Sequence, residues 1–456
     1  MGSTSGVNLS SLLSALGTSS SGINVQSAVA QAISAMSGPE QDWQQEQTLL
    51  QSQTSDINQI ETDISTLQTS LNALNDPLGA IASMTASSSD SSLVTASAAA
   101  GAASGNHVVV VNNLASTASW YSDEVASSST ALAAGSFTLQ VGSGPATQIT
   151  IGNGIDTLDQ LESYINGLNL GVTASVVNDS AGSRLAIVSN ASGSANNFTI
   201  SGATGLNFTQ AVTGTDASLT VDGIPIDSSS NTVSGAVAGV TFNLFGASPG
   251  TEVDISIAPD SSQVSQAVTN FVNAYNTVVN DVNKEYTVGS NGAEGPLAGD
   301  PTLGTLQDQL LAVGSYSAGG SISTLADLGI SMNDDGTLTL DSSTLDNALQ
   351  QNFSAVQNFF QGTASNGFAA NLNNQMDLLT NAANGAFTVD LSSIQSENND
   401  LQDQINDFQS YLNDQQTLLT NEYNQADILL QELPMEQAQI NAELGYAPNS
   451  SSTNGV

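Results

Sequence analysis

Positive charge is almost missing from this chain. Among 456 residues Arg184 and Lys284 are the only basic side chains, beside 42 acidic ones, for a formal net charge of -40. Binding to phosphate depends on Lys and Arg that release counterions, so the composition argues against nucleic acid as a direct partner, and against anionic membrane surfaces for the same reason. Ion pairs within the chain can contribute little, and apolar burial with backbone hydrogen bonding has to hold the fold against self-repulsion. Such a composition suits an acidic or salty exterior, where carboxylates are protonated or screened. The expected sign is greater stability at about pH 4 than at about pH 7 in low salt.

Cysteine is absent, which excludes disulfides and thiolate chemistry and is compatible with an extracellular protein that passes unfolded through a narrow conduit. Histidine occurs once. A Ser-His-Asp triad would have to use His107, which directly precedes an apolar run at residues 108–111 and reads as structural. A zinc site with one His and no Cys would need mostly carboxylate ligands. Two carboxylates suffice for glycoside cleavage, but no pair has an apolar or aromatic setting. No catalytic, metal or cofactor-binding residue is therefore assigned. Asn333-Asp334-Asp335-Gly336, with Asp341 beyond it, lacks the alternating acids and closing Glu of a calcium loop and reads as turn chemistry. The first thirty residues show no basic n-region and no unbroken apolar stretch, so export without a cleaved signal peptide is expected, and no run of about 18 apolar residues spans a membrane.

Long helical patterns stand at both ends. Near the front Trp43, Leu50, Ile57, Ile64 and Leu71 fall seven apart, with Ile60, Leu67 and Leu74 three residues after members of that series. At the rear Leu401, Ile405, Phe408, Leu412, Leu419, Ala426, Leu429, Leu433 and Ile440 alternate in steps of three and four, with Gln415, Glu422 and Glu436 filling the seam. This is coiled-coil spacing, over helices on the order of 50 and 75 Å long. Two such helices at opposite ends most simply form a stalk; the other reading is that both are amphipathic helices of one bundle. Pro434 predicts a break or kink in the rear helix.

Between the ends the period changes. Residues 1–22 are Ser, Gly and Thr with scattered Leu, and a short apolar-periodic stretch, Val25, Val29, Ile33 and Met36, ends at Gly38-Pro39. Residues 87–105 collapse to Ser and Ala, as a linker or extended crossing would. From residue 108 to residue 257 apolar and polar residues alternate in segments near 137–141, 172–176, 198–200, 219–221, 240–244 and 253–257, with one helix through Leu158, Leu161, Ile165 and Leu168. Helix resumes after Pro259-Asp260 through Val264, Val268, Phe271, Val272, Tyr275, Val278, Val279 and Val282, and again after Asp300-Pro301. A hairpin follows at 330–340, then short helices near 345–349 and 356–360. Helix returning after the β section implies nested insertion.

Several segments resemble a known family in order. Gly22-Ile23-Asn24-Val25 resembles the opening of bacterial flagellar filament cap proteins, the hook-associated protein 2 family, and residues 105–115 (GNHVVVVNNLA) are similar to their G-x-(Y/H)-x-(I/V)-x-V-x-x-L-A segment. Asp222-Gly223-Ile224-Pro225-Ile226 with Ser230-Asn231-Thr232-Val233 and Gly239-Val240-Thr241-Phe242 resembles a second signature, and Phe271-Val272-Asn273-Ala274-Tyr275-Asn276 a third. Residues 297–303 (LAGDPTL) and the pair Leu328-Gly329-Ile330 and residues 335–341 (DGTLTLD) complete the series, which covers residues 22–440. Family members usually carry Lys and Arg through the stalk; this chain has none there.

The expected fold is α+β multidomain: terminal helices forming a coiled-coil stalk, an α-rich leg, and β-rich head domains inserted in a nested way. The expected division is 1–39 disordered export segment, 40–77 front helix, 78–130 with 214–258 first head domain, 131–213 second head domain, 259–390 leg, 391–446 rear helix and 447–456 disordered tail. The resemblance implies an extracellular homo-oligomer ring at the distal tip of the flagellum, where exported flagellin folds and inserts. The partners it implies are flagellin, hook-filament junction proteins and a cytoplasmic export chaperone on the C-terminal helix, with no nucleic acid, membrane or cofactor. The residues expected to carry partner and oligomer packing are Ile57, Ile64, Leu71, Leu401, Ile405, Phe408, Leu412 and Leu419. The alternatives are a secreted surface adhesin or another flagellar axial protein such as a junction protein.

Overall fold

A computed structural model describes residues 24–289, 292–362 and 366–444. Three apolar cores divide the chain. The first belongs to helices drawn from both ends. Helix α1 (Val25–Met36) opens with the Asn24 side chain accepting from the Ser27 N–H at 3.0 Å. The single residue Ser37 separates it from α2 (Gly38–Asn75), and Pro39 sits in the first turn of α2, where no amide donor is needed. Residues 25–36 are thus helical inside the segment expected to be disordered. The reason is tertiary: Ala28 and Val29 are buried and the helix lies on the rear helix, a partner its own composition does not announce.

Helix α2 delivers Ile57, Ile60, Ile64, Leu67 and Leu71 into a core shared with Val264, Val268, Phe271, Tyr275 and Val278. The latter group belongs to a helix capped by Asp260, whose carboxylate accepts from the Ser262 and Gln263 amides. Between these two helices the chain leaves to build the heads and returns. The first head is a sandwich. One sheet pairs β1 (Met84–Ser88), β15 (Val253–Pro259), β3 (Gly105–Asn113), β11 (Ala217–Val221) and β12 (Ile224–Ser228) in that order; the other pairs β13 (Thr232–Val237), β14 (Val240–Leu244) and β2 (Val94–Ala98). Inward positions are the alternate ones: Val253, Ile255 and Ile257 are buried while Asp254 and Ser256 face out. The β11–β12 turn is Asp222-Gly223, both at positive φ (50° and 79°), the two-residue hairpin geometry that matches strand twist.

The second head interrupts the first between β3 and β11. Its sheets are β10 (Phe208–Val212), β4 (Ser119–Ser122), β8 (Ser183–Ser189) and β7 (Val172–Asn178), and β6 (Thr147–Ile151), β5 (Gly135–Val141) and β9 (Phe198–Ser201), closed by helix α3 (Leu158–Gly167). Strand β4 pairs with β8 and β10, so the chain enters this module before residue 119, ahead of the expected boundary at 130. The short run Ser119–Ser122 has no legible alternation; it is held by the Leu185 N–H donating to Ser122 Oγ at 2.9 Å and by Trp120 donating to the Phe198 carbonyl at 3.1 Å. A second departure lies in the Ser/Ala stretch at 87–105, which contributes strand residues to β1, β2 and β3 rather than a linker. Small side chains are sufficient there because Val94 is the fully buried residue of β2, with Ala96 and Ala98 packed partly buried against the same core.

The return helix is α4 (Ser261–Tyr286). It is followed by α5 (Pro301–Ala312), the hairpin β16 (Ile330–Met332) and β17 (Leu338–Leu340), α6 (Ser342–Gln361), α7 (Phe368–Thr380) and α8 (Ala386–Glu443). The two short helices expected near 345–349 and 356–360 are one element, bent where Asn352 leaves helical geometry at φ -151°. Aromatic rings knit this leg: Phe359 stacks on Phe368 at 5.4 Å, Phe271 meets Phe368 edge-on at 5.5 Å, and buried Tyr275 donates to the Leu310 carbonyl at 2.8 Å. Helix α8 runs on past Pro434 without ending. The position is solvent-exposed, so water can satisfy the carbonyl that loses its donor.

Candidate assembly surface

Helices α2 and α8 pack together antiparallel. Gln409 donates to Glu40 at 2.7 Å, Gln47 donates to Gln402 at 3.4 Å, and the Trp43 ring meets Phe408 edge-on at 5.4 Å. The contact covers only the first part of α2, whose later turns belong to the leg core with α4, α6 and α7. The eight residues expected to pack partners therefore separate into groups. Ile57, Ile64 and Leu71 have no exposed surface and are leg core, making internal contacts and not the partner contacts expected of them. Leu401, Ile405 and Leu412 are buried where the front helices cover α8, and Phe408 is half-buried between Trp43 and Tyr411. Leu419 is half-buried, at the edge of the covered part.

Beyond it the cover ends. Ile428, Leu429, Leu430, Leu433, Met435, Ile440 and Leu444 are all exposed, Leu433 at 56% and Ile440 at 53%. At helical spacing Leu429, Leu430, Leu433, Ile440 and Leu444 fall on one side, with Ile428 and Met435 on the other, and exposed apolar residues grouped in this way mark an interaction surface. The seam spacing includes Leu429, Leu433 and Ile440 but does not specify where the partner stops. The front seam begins at Trp43, opposite Phe408. The rear seam outruns the front one, and that difference in length is legible in the sequence.

Carboxylates elsewhere act within the fold. His107 Nδ1 lies 2.7 Å from Asp222 Oδ2, and Asp222 Oδ1 accepts from the Val108 N–H at 2.9 Å, so the single histidine ties the β11–β12 turn to β3. The His107 hydrogen bond, then the Val108 amide, hold the Asp222 carboxyl below the usual range. Asp335 accepts from Thr337 within its own turn, and Asp341 caps α6 through the Ser343 and Thr344 amides. Arg184 donates to Glu124 at 2.7 Å beside the Tyr121 ring. At the α2–α4 seam the Asp281 carboxyl is pushed up to about 6, by burial first and then by the adjacent Asp63; Lys284, 3.7 Å from Asp56, opposes the shift. Among the described residues no helix is long and apolar enough to cross a membrane.

A helical leg carrying two nested β modules, with its accessible chemistry concentrated in an apolar helix end, defines a structural assembly protein. Models of the flagellar hook-associated protein 2 N-terminus and C-terminus match residues 21–118 and 214–434. The B-type flagellar hook-associated protein 2 of Pseudomonas aeruginosa is 28% identical over 356 residues, 70% of this chain and 73% of that protein. Flagellar hook-associated protein 2 of Escherichia coli strain K12 is 31% identical over 227 residues, 44% of this chain and 48% of its own length. The crystal structure of the flagellar cap protein FliD D1-D2-D3 domains from Escherichia coli superposes with a TM-score of 0.60 at 26% identity, covering 75% of this chain and 99% of that one. This chain belongs to the flagellar hook-associated protein 2 family, the filament caps. It is a structural protein of flagellum assembly and motility at the flagellum tip, not an enzyme.

Proposed function

We propose that several copies of this chain form a ring on the distal tip of the flagellar filament, with the β heads as a plate and the helical legs pointing at the filament, and that exported flagellin folds and inserts beneath it. The observation that carries this reading is the uncovered end of α8, an apolar helix face held at the end of a long leg. A seam interrupted by Glu422 and Glu436 can exchange partners rather than lock, which a cap that releases each new subunit requires. Flagellin, junction proteins and, before export, a chaperone are the partners of this face. Ile57, Ile64 and Leu71 act only by holding the leg together.

Deletion of the gene tests the reading: cells should carry hooks without filaments and spill unpolymerised flagellin into the medium. Filaments of normal length in the deletion strain would refute it. Electron microscopy of the purified chain should show radially symmetric plates; separate rods would favour a surface adhesin, and filaments formed by the chain alone a flagellin-like axial protein.

A further inference from the structure

The second head has a sheet in the order β10, β4, β8, β7, and both of its outer strands are open. On β7 the odd residues bond to β8: the Asn190 amide donates to the Gly171 carbonyl at one end of the ladder and the Asp179 amide to the Gly182 carbonyl at the other. The even residues therefore turn their backbone groups away from the sheet. Asn166 on α3 takes up one of them, its side chain accepting from the Ala174 N–H at 2.8 Å and donating to the Ala174 carbonyl at 2.9 Å. Val176 and Asn178 have no such cover, and Val177 between them is 53% exposed. On β10 the Asp123 amide donates to the Asn207 carbonyl, so Asn207 and Thr209 face β4 while Phe208 and Gln210 face outward. The register shifts between Gln210 and Val212, where a strand bends.

These two edges fit each other. Three antiparallel pairings separate β10 from β7, so a second copy added edge to edge in the same orientation brings its β10 antiparallel to β7. The outward residues then set the register: the partner's Gln210 opposite Val176 and the partner's Phe208 opposite Asn178, each pair exchanging backbone hydrogen bonds, with the partner's Thr209 opposite Val177. The faces agree as well, because Val176 and Phe208 both pack toward the core of their own module. The bend after Gln210 falls where Asn166 already occupies the edge at Ala174. Charge favours a copy of this chain as the occupant. Neither 172–178 nor 208–212 contains Asp, Glu, Lys or Arg, in a chain with 42 acids, and Asp179 just beyond β7 folds its carboxylate back onto the Ala181 and Gly182 amides. The outer strand β12 of the first head, by contrast, carries Pro225 and Asp227, residues that blunt an edge. Building on the ring reading, we propose that copies of this chain join head to tail by adding β10 of one second head to β7 of the next. Two different edges meet, so the contact is heterologous, the kind whose repetition about an axis gives a ring.

The chain has no cysteine, and Val177 and Thr209 of one copy stand on opposite edges of the sheet, about 14 Å apart across three strand spacings, too far for a disulfide within the chain. After mild oxidation of the purified full chain, Val177→Cys with Thr209→Cys should give a ladder of covalent oligomers on a denaturing gel, while each single substitution stays at the monomer. Dimers from Val177→Cys alone would mean that like edges meet and would overturn the proposal. Radial plates in electron microscopy without a ladder would overturn the strand pairing and leave the ring standing; neither plates nor a ladder would overturn both. Both side chains are exposed, so their charge can be changed without disturbing the core. Val177→Glu with Thr209→Glu should weaken assembly at least about ten-fold in sedimentation, and Val177→Lys with Thr209→Glu should restore it. Equal assembly of these two variants would also overturn the pairing.

Discussion

Replacing Asp281 by Asn should make the protein more stable at neutral pH, the reverse of what most substitutions at a helix interface do. Asp281 on α4 faces Asp63 and Asp56 on α2, and burial together with those neighbours raises its carboxyl from the ordinary 3.8 to about 6. A folded value above the unfolded one means that the native state holds the proton more tightly. The stabilisation from that proton is complete below about pH 4 and is lost as pH rises through about 6. At 1.36 kcal/mol per unit, the gap corresponds to a ceiling of about 3 kcal/mol; the side chain is half-buried, and solvent screening reduces this to about 1–2 kcal/mol. Asn is neutral at every pH and keeps the shape. Urea denaturation of the two proteins at low salt should therefore give equal stabilities near about pH 3 and an advantage of about 1–2 kcal/mol for Asp281→Asn near about pH 7.5. Equal stabilities at both pH values, or a less stable variant at pH 7.5, would refute the assignment of the shared proton to this seam.

Acid should eventually destabilise the chain as well. Asp222, Asp260, Asp327 and Asp341 have carboxyls held below the usual range by hydrogen bonds, led by the His107, Ser262, Ser323 and Ser343 donors respectively, and their contribution is lost as pH falls through those lowered values. A stability optimum between about pH 4 and 6 follows, measurable as a maximum in thermal midpoint. Ile64→Ala empties a fully buried position between α2 and α4 and should cost about 2–5 kcal/mol in chemical denaturation; a loss under 1 kcal/mol would mean that α2 is not leg core. Tyr275→Phe removes the donor to the Leu310 carbonyl and should cost about 1–3 kcal/mol without altering the fold's circular dichroism. Leu433→Ser with Ile440→Ser, both exposed, should leave the thermal midpoint within about 2 °C of wild type while impairing filament growth in complemented cells; wild-type filaments would remove the stripe from the assembly reading.

The residues themselves specified much of this protein. Period-two alternation at Val253, Ile255 and Ile257, the Asp260 and Asp300 caps, and the Asp222-Gly223 turn are local, because strand pleat, orphan helix amides and positive φ are properties of a few neighbouring residues. Heptad spacing likewise told that Leu401, Ile405 and Leu412 need a partner. It could not tell which one. Ile57 and Leu401 have the same pattern in the sequence, yet one is sealed against α4 and α7 while the other lies under the front helices, and Leu433 of the same seam meets solvent. Spacing records that a face is apolar; what covers it depends on contacts between residues hundreds of positions apart. Strand β4 and the Ser/Ala strands are not legible in the sequence for the same reason: their side chains are too small or too few to show a period, and backbone pairing with distant strands makes them sheet. The tertiary structure thus decided which apolar residues hold the leg together and which remain for assembly, because burial is a property of the packed chain and not of any residue's chemistry.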